Sequence, residues 1–210
     1  MLEKAGCWSF PGMYNGIKNL ELLAARLRRE KRALKPGWPI LPTFTPMGAM
    51  AFGGGVQRSD YNFDVMIQAF ANGATGLSVF EDPYVDDPGI YLAYGRAISL
   101  AVPHEDTIIN GTIAAEAITI MPDSAPALGS AMYNGQTGEV FIAVTPAVAW
   151  THEGPEPPPP VTVRFRFRSS ISGDEVKVVD LLTNETTLCF GHCVIERNAS
   201  ASVVFTARPI

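Results

Sequence analysis

A chain of 210 residues, 47% hydrophobic and 18% charged, can bury a sizeable core, which excludes a peptide too small to fold alone and a mainly disordered chain. Against 21 Asp and Glu stand 16 Lys and Arg, a formal net charge of -5, so there is no global electrostatic pull toward nucleic acid. Charges, prolines or glycines interrupt every apolar run before the roughly 18 to 20 residues that a spanning helix needs, so no membrane partner is expected.

Up to about residue 105 short apolar runs alternate with helix-like runs, the pattern of β-α units around a parallel sheet. The first unit pairs Gly6 to Phe10 with a helix over 17–34, in which Leu20, Leu23, Ala24 and Leu27 share one side. The basic cluster Arg28, Arg29, Lys31 and Arg32 suits the negative end of the helix dipole and is read as a solvated face. The second unit runs from 39–45 into a helix over 61–72, capped by Ser59 or Asp60 and ended by Asn72-Gly73. Pro42 argues against a central strand there, because proline has no N–H to give to a ladder. A third unit joins 75–80 to a helix over 90–102 with Ile90, Ala93, Tyr94, Ala97, Ile98 and Ala101 on its inner face.

From about residue 107 the pattern becomes short β-rich runs with no further helix, which predicts a second, all-β domain over 107–210 after an α/β domain over 1–106. Its strands are expected at 112–120, 129–133, 140–145, 161–168, 176–182, 186–190 and 201–207, with Asn134-Gly135 as a hairpin turn. The proline-rich 153–160 reads as an extended surface loop or stiff connector. Cys189-Phe190-Gly191-His192-Cys193 offers three nearby metal ligands where a structural zinc normally takes four, so no metal is expected. The simpler reading is a hairpin turning at Gly191-His192 with its cysteines buried or bridged.

The run from Ala69 to Phe80, AFANGATGLSVF, and the run from Ala97 to Gly111, AISLAVPHEDTIING, resemble the late segments and exit of a glycoside-hydrolase-type (β/α)8 barrel with an appended β-sandwich. The resemblance implies a partial (β/α) barrel of about three units followed by an antiparallel β-sandwich. A complete barrel takes about 250 residues and eight units. The expectation is therefore either part of a longer barrel or a small open α/β layer. Such a layer would lean on the β domain or, through its open sheet edge, on another chain, a missing barrel half or a second copy.

Working residues of barrels sit at the C-terminal strand ends and the loops that follow. On that rule Glu81, directly after a buried strand, is the candidate general acid or nucleophile, with Asp82 beside it. The competing reading is that Glu81 and Asp82 only open a proline-containing turn. Trp8, Phe10, Tyr14, Phe44 and Tyr84 gather at the same end and can stack on sugar rings or pack the core. The loop 47–56 lacks a phosphate-loop ending and does not fit G-x-G-x-x-G, and no G-x-S-x-G is present, so no nucleotide cofactor and no serine nucleophile is expected. The functional expectation is hydrolysis of a carbohydrate by carboxylate chemistry; the alternative is a catalytically inactive carbohydrate-binding or interaction protein.

The segment MLEKAGCWSF lacks the apolar core of a secretory signal, yet sequons occur at Asn110-Gly111-Thr112, Asn184-Glu185-Thr186 and Asn198-Ala199-Ser200. These tilt the expectation toward a secreted or lumenal parent protein, and an odd count of 3 cysteines leaves room for one bridge.

Overall fold

The computed structural model describes residues 16–33, 40–42, 59–76, 78–80, 88–114, 118–121, 127–146, 149–151, 154–156, 161–166, 175–190, 194–199 and 202–210. Helix α1 spans Gly16–Arg32, α2 Ser59–Ala71, α3 Pro88–Ala101 and α4 Glu105–Asn110. Strand β1 (Ile40–Pro42) precedes α2, and β2 (Ser78–Phe80) lies between α2 and α3. The two strands pair in parallel, with Ile40 opposite Ser78 and Pro42 opposite Phe80. Pro42 is thus the last residue of a strand with one partner among the described residues, where its missing N–H is tolerated.

After α4 the chain is β-structured: β3 (Thr112–Ile113), β4 (Ile118–Met121), β5 (Ala127–Tyr133), β6 (Val140–Pro146), β7 (Ala149–Thr151), β8 (Gly154–Glu156), β9 (Val161–Arg166), β10 (Glu175–Asp180), β11 (Thr186–Phe190), β12 (Val194–Ala199) and β13 (Val203–Pro209). Six strands form an antiparallel sheet in the order β11-β10-β13-β6-β5-β3, and a three-stranded sheet runs β12-β9-β4. The architecture is mixed α/β, with a parallel strand pair, helices and a six-stranded antiparallel sheet.

The core explains why these segments belong together. Leu23 and Leu27 of α1, Met66 and Ile67 of α2, and Ala93 and Ala97 of α3 are buried in one cluster with Phe141, Ala143 and Val204 of the sheet. Residues before and after position 107 therefore share a core. The opposite face of the sheet buries Val140, Ile142, Val144, Val178, Phe205 and Ala207 in a second cluster, so β6 is buried on both faces and its first five residues, 140–144, read as an unbroken apolar run.

Helix ends follow their sequence signals. Gly73, at φ 81°, closes α2 as a Schellman cap: Gly73 N–H donates to Phe70 O at 2.9 Å and Ala74 N–H to Ala69 O at 3.0 Å. Gly111 after α4 needs glycine for a different reason, since a Cβ there would stand 2.2 Å from Thr107 O and 2.9 Å from Tyr133 O.

Several expectations change. Residues 105–110 are helical, so the β region starts at Thr112, and the single strand expected over 112–120 is two strands in different sheets. Ile98 is 44% exposed, because α3 packs through its small residues Ala93, Ala97 and Ala101 and the next position round the helix turns away from that contact. Gly154–Glu156, within the segment read as a loop, pairs with β7. β11 and β12 do not form a hairpin, since β11 pairs with β10 while β12 pairs with β9 in the other sheet. The Asn134-Gly135 turn is longer than a two-residue hairpin, and Gly138 takes the positive φ of 73°.

That turn recurs. In Asn134–Glu139 the Asn134 N–H donates to Glu139 O at 2.8 Å and Gly138 N–H to Asn134 O at 2.8 Å. In 180–185 the Asp180 N–H donates to Glu185 O at 2.9 Å and Asn184 N–H to Asp180 O at 2.8 Å. The first side chain accepts from the turn in both: Asn134 Oδ1 from Gln136 N–H at 2.9 Å, and Asp180 Oδ1 from Leu182 N–H at 2.9 Å. Asn184, at φ 62°, occupies the place of Gly138, as asparagine tolerates the left-handed region better than most residues.

Candidate functional site

The parallel register of β1 and β2 sends the chain out of both strands at the same end of the pair, from Pro42 and from Phe80. The next residues in sequence are Thr43-Phe44 and Glu81-Asp82. This is the strand-end position at which a (β/α) unit carries its working groups. Glu81 and Asp82, with Trp8, Phe10, Tyr14, Phe44 and Tyr84, lie outside the described residues.

Helix α2, which follows β1 and precedes β2, is fixed to the six-stranded sheet by a buried polar layer. Gln68 is fully buried; its Nε2 donates to Thr145 Oγ1 at 3.0 Å and to Leu128 O at 3.1 Å. Asn72, also fully buried, donates through Nδ2 to Ser130 Oγ at 2.9 Å and to Gln68 O at 2.7 Å. Arg28 of α1 completes the layer, donating through Nε to Asn72 Oδ1 at 2.6 Å and through Nη2 to Ser130 Oγ at 2.9 Å. At the other end Ser202 donates to Asp64, and its Oγ is hydrogen-bonded to Thr145 Oγ1 at 3.2 Å. Burial, with the charge of Arg32 as a lesser cause, lowers the Arg28 pKa, but a guanidinium remains charged.

The solvated reading of the basic cluster therefore holds for the exposed Arg29 and Arg32 and fails for its two other members. Arg28 reaches the sheet, and Lys31 Nζ donates to Ile108 O at 3.1 Å and to Ile109 O, closing the C-terminal end of α4. Burial lowers the Lys31 pKa. Sequence reasoning missed the layer because Gln68 and Asn72 sit singly in an apolar helix and read there as a neutral residue and a helix stop. The available signal was Asn72 itself, four residues from Gln68 and so on the same face.

A second polar cluster ties α4 and the turn before it to the β5–β6 turn. His104 Nδ1 lies 3.0 Å from Glu139 Oε1, and Thr107 Oγ1 donates to Glu139 Oε2. Burial raises the Glu139 pKa, but the His104 and Thr107 hydrogen bonds and the charges of His104 and Arg208 outweigh it, leaving the carboxyl below its ordinary value. A carboxylate held ionised on both oxygens is a poor proton donor, so this pair acts as a clamp rather than as a general acid. Asn134 Nδ2 donates to Asp106 Oδ2 at 2.5 Å, adding a second tie between α4 and the β5–β6 turn.

Cys189 of β11 is disulfide-bonded. Among the described residues no group of three or more His, Cys, Asp or Glu is arranged to hold a metal ion, and no helix is long and apolar enough to cross a membrane.

No protein-family model matches the chain, and no curated protein matches it. Solved structures do. A GH27 β-L-arabinopyranosidase from Geobacillus stearothermophilus, in complex with arabinose, is similar at TM-score 0.50 and 12% identity over 82% of this chain and 38% of that one. An α-amylase from Geobacillus thermoleovorans, complexed with acarbose, is similar at TM-score 0.51 and 9% identity over 81% of this chain and 38% of that one. Both are glycoside hydrolases, and the chain shares a glycoside-hydrolase-type fold with them while spanning about two fifths of their length.

Proposed function

We propose that this chain forms the late (β/α) units and the β-sandwich of a glycoside-hydrolase-type barrel, and that its protein hydrolyses O-glycosyl bonds. The observation that carries the reading is the β1–β2 register, which brings two βα strand ends to one side, in a chain similar in fold to about two fifths of each of two glycoside hydrolases. Glu81 is the carboxylate that acts as general acid or nucleophile at that end, with Asp82 beside it. Trp8, Phe10, Tyr14, Phe44 and Tyr84 supply the faces on which sugar rings stack. Glycoside hydrolysis needs two carboxylates about 5 to 9.5 Å apart, the spacing setting the stereochemical outcome.

The division near residue 107 is then that between barrel and sandwich, two parts that share an interface core rather than a flexible linker. The face of β6 turned away from the helices is buried, so a layer covers it, and the three-stranded β12-β9-β4 sheet is the layer we assign there. The outer edges of β1 and β2, unpaired among the described residues, are where further barrel strands or a second polypeptide would add.

The test is the hydrolysis of a panel of aryl pentosides and hexosides by the whole wild-type protein and by its Glu81→Gln variant, with thermal unfolding of both. The reading expects wild-type turnover that Glu81→Gln lowers by about a hundredfold or more, in the range of lost acid–base assistance, with little change in melting temperature. Glycan binding without turnover, equal in both proteins, would instead make the chain a carbohydrate-binding module and overturn the catalytic reading.

A further inference from the structure

One sequon lies where the fold presents its asparagine to solvent with the amide uncommitted, and we propose that Asn184 is an acceptor of N-linked glycan. Asn184 is the exposed left-handed residue of the β10–β11 turn, with φ 62°; its backbone N–H closes the turn on Asp180 O at 2.8 Å, and the sequon hydroxyl of Thr186 is exposed at the start of β11. The turn is held by Asp180 Oδ1 and by Thr183 Oγ1, which accepts from Glu185 N–H at 3.3 Å, so the Asn184 side chain is not needed to keep it closed.

The other two sequons are placed differently. Asn110 Nδ2 donates to Asp106 Oδ1 at 2.7 Å, and Asp106 in turn holds Asn134, so this amide belongs to the tie between α4 and the β5–β6 turn. Asn198 lies inside β12, paired opposite Thr162 of the central strand β9.

A second observation points to the compartment in which such transfer occurs. Cys189, in the strand that follows the Asn184 turn, is disulfide-bonded, and structural disulfides persist in oxidising lumenal or extracellular environments. The transfer joins Asn184 Nδ2 to the anomeric carbon of a lipid-pyrophosphate-linked oligosaccharide. The anomeric C–O bond to pyrophosphate breaks, lipid pyrophosphate leaves with the bonding pair, and the amide gives up one proton. The glycan then stands beside β11, an edge strand of the six-stranded sheet on which Leu188 and Phe190 are 51% and 71% exposed, and shields that edge from pairing with other chains. This inference is independent of the glycosidase reading.

The experiment directs the full chain into the lumen of a eukaryotic secretory pathway with a cleavable signal. It reads intact mass before and after peptide-N-glycosidase digestion, with mapping of the Asn184 peptide. The expected result is a digestible glycan on Asn184 that persists in Asn110→Asp and is lost in both Asn184→Asp and Thr186→Val. Aspartate tolerates the left-handed turn position and valine suits an exposed strand, so both variants should melt with the digested wild type. An Asn184 peptide recovered unmodified from the secreted wild-type protein, or a glycan there that survives Thr186→Val, would overturn the proposal.

Discussion

Replacing Gln68 by leucine tests whether the helices are stitched to the sheet as described. Leucine nearly conserves volume, so the cost comes from the hydrogen bonds rather than from a cavity. The substitution removes the donors to Thr145 Oγ1 and Leu128 O, at 3.0 and 3.1 Å, from a side chain with 0% exposure. Thr145 Oγ1 keeps its hydrogen bond with Ser202 at 3.2 Å, and Asn72 Nδ2 keeps Ser130 and the Gln68 main-chain carbonyl, so the loss is these two bonds and two longer contacts at 3.5 Å, Gln68 Nε2 to Ala143 O and Asn72 Nδ2 to Gln68 Oε1. At about 1 kcal/mol net for each bond, with a further contribution of about 1 kcal/mol for an acceptor left buried, the expected destabilisation is about 2 to 3 kcal/mol. For a chain of this size that lowers the melting temperature by roughly 4 to 12 °C.

Urea unfolding followed by circular dichroism should show a lower midpoint at unchanged slope. Leu92→Ala on α3, at 72% exposure, is the matched control and should stay within about 0.5 kcal/mol of wild type. A Gln68→Leu chain as stable as wild type would refute the polar layer.

Two further outcomes follow from the other contacts. Glu139 has a carboxyl pKa depressed in the folded state, so its contribution is present above the ordinary value of 4.5 and is lost as pH falls through the lower folded value. Glu139→Gln should therefore be less stable than wild type at neutral pH, with the gap narrowing as pH drops below that range, whereas a gap constant from pH 7 to pH 3 would contradict the clamp. Gly111→Ala forces a Cβ to within 2.2 Å of Thr107 O, a backbone atom that cannot step aside, and should cost about 2 to 3 kcal/mol by thermal unfolding; a neutral effect would mean that α4 and β5 do not approach as closely as described.

Local signals located most elements. Leu23, Ala24 and Leu27 are buried at the helical spacing that marks them, Asn72-Gly73 ends α2 through the left-handed glycine expected there, and Thr186–Phe190 is a strand with the expected bounds. What could not be read locally depends on partners distant in sequence. Nothing near Thr112–Met121 says that its two halves join different sheets, and nothing in Arg28 says that its guanidinium will meet Ser130. β12 went unrecognised because Glu196, Arg197 and Asn198 are poor strand formers that pairing with β9 overrides. β8 was hidden by Gly154 and Pro155, residues tolerated in a short two-stranded pair. For the site, sequence placed Glu81 and Asp82 directly after a strand, and the structure adds that this strand and β1 end on the same side.

The central claim, that Glu81 works on a glycosidic bond at these strand ends, is tested most directly by a crystal structure with a bound oligosaccharide. The Glu81 carboxylate should lie within hydrogen-bond reach of the glycosidic oxygen or face the anomeric carbon, with a second carboxylate about 5 to 9.5 Å away and a ring stacked on one of the five aromatic residues. A sugar bound elsewhere on the fold, or one at the strand ends with no second carboxylate within about 10 Å, would contradict it.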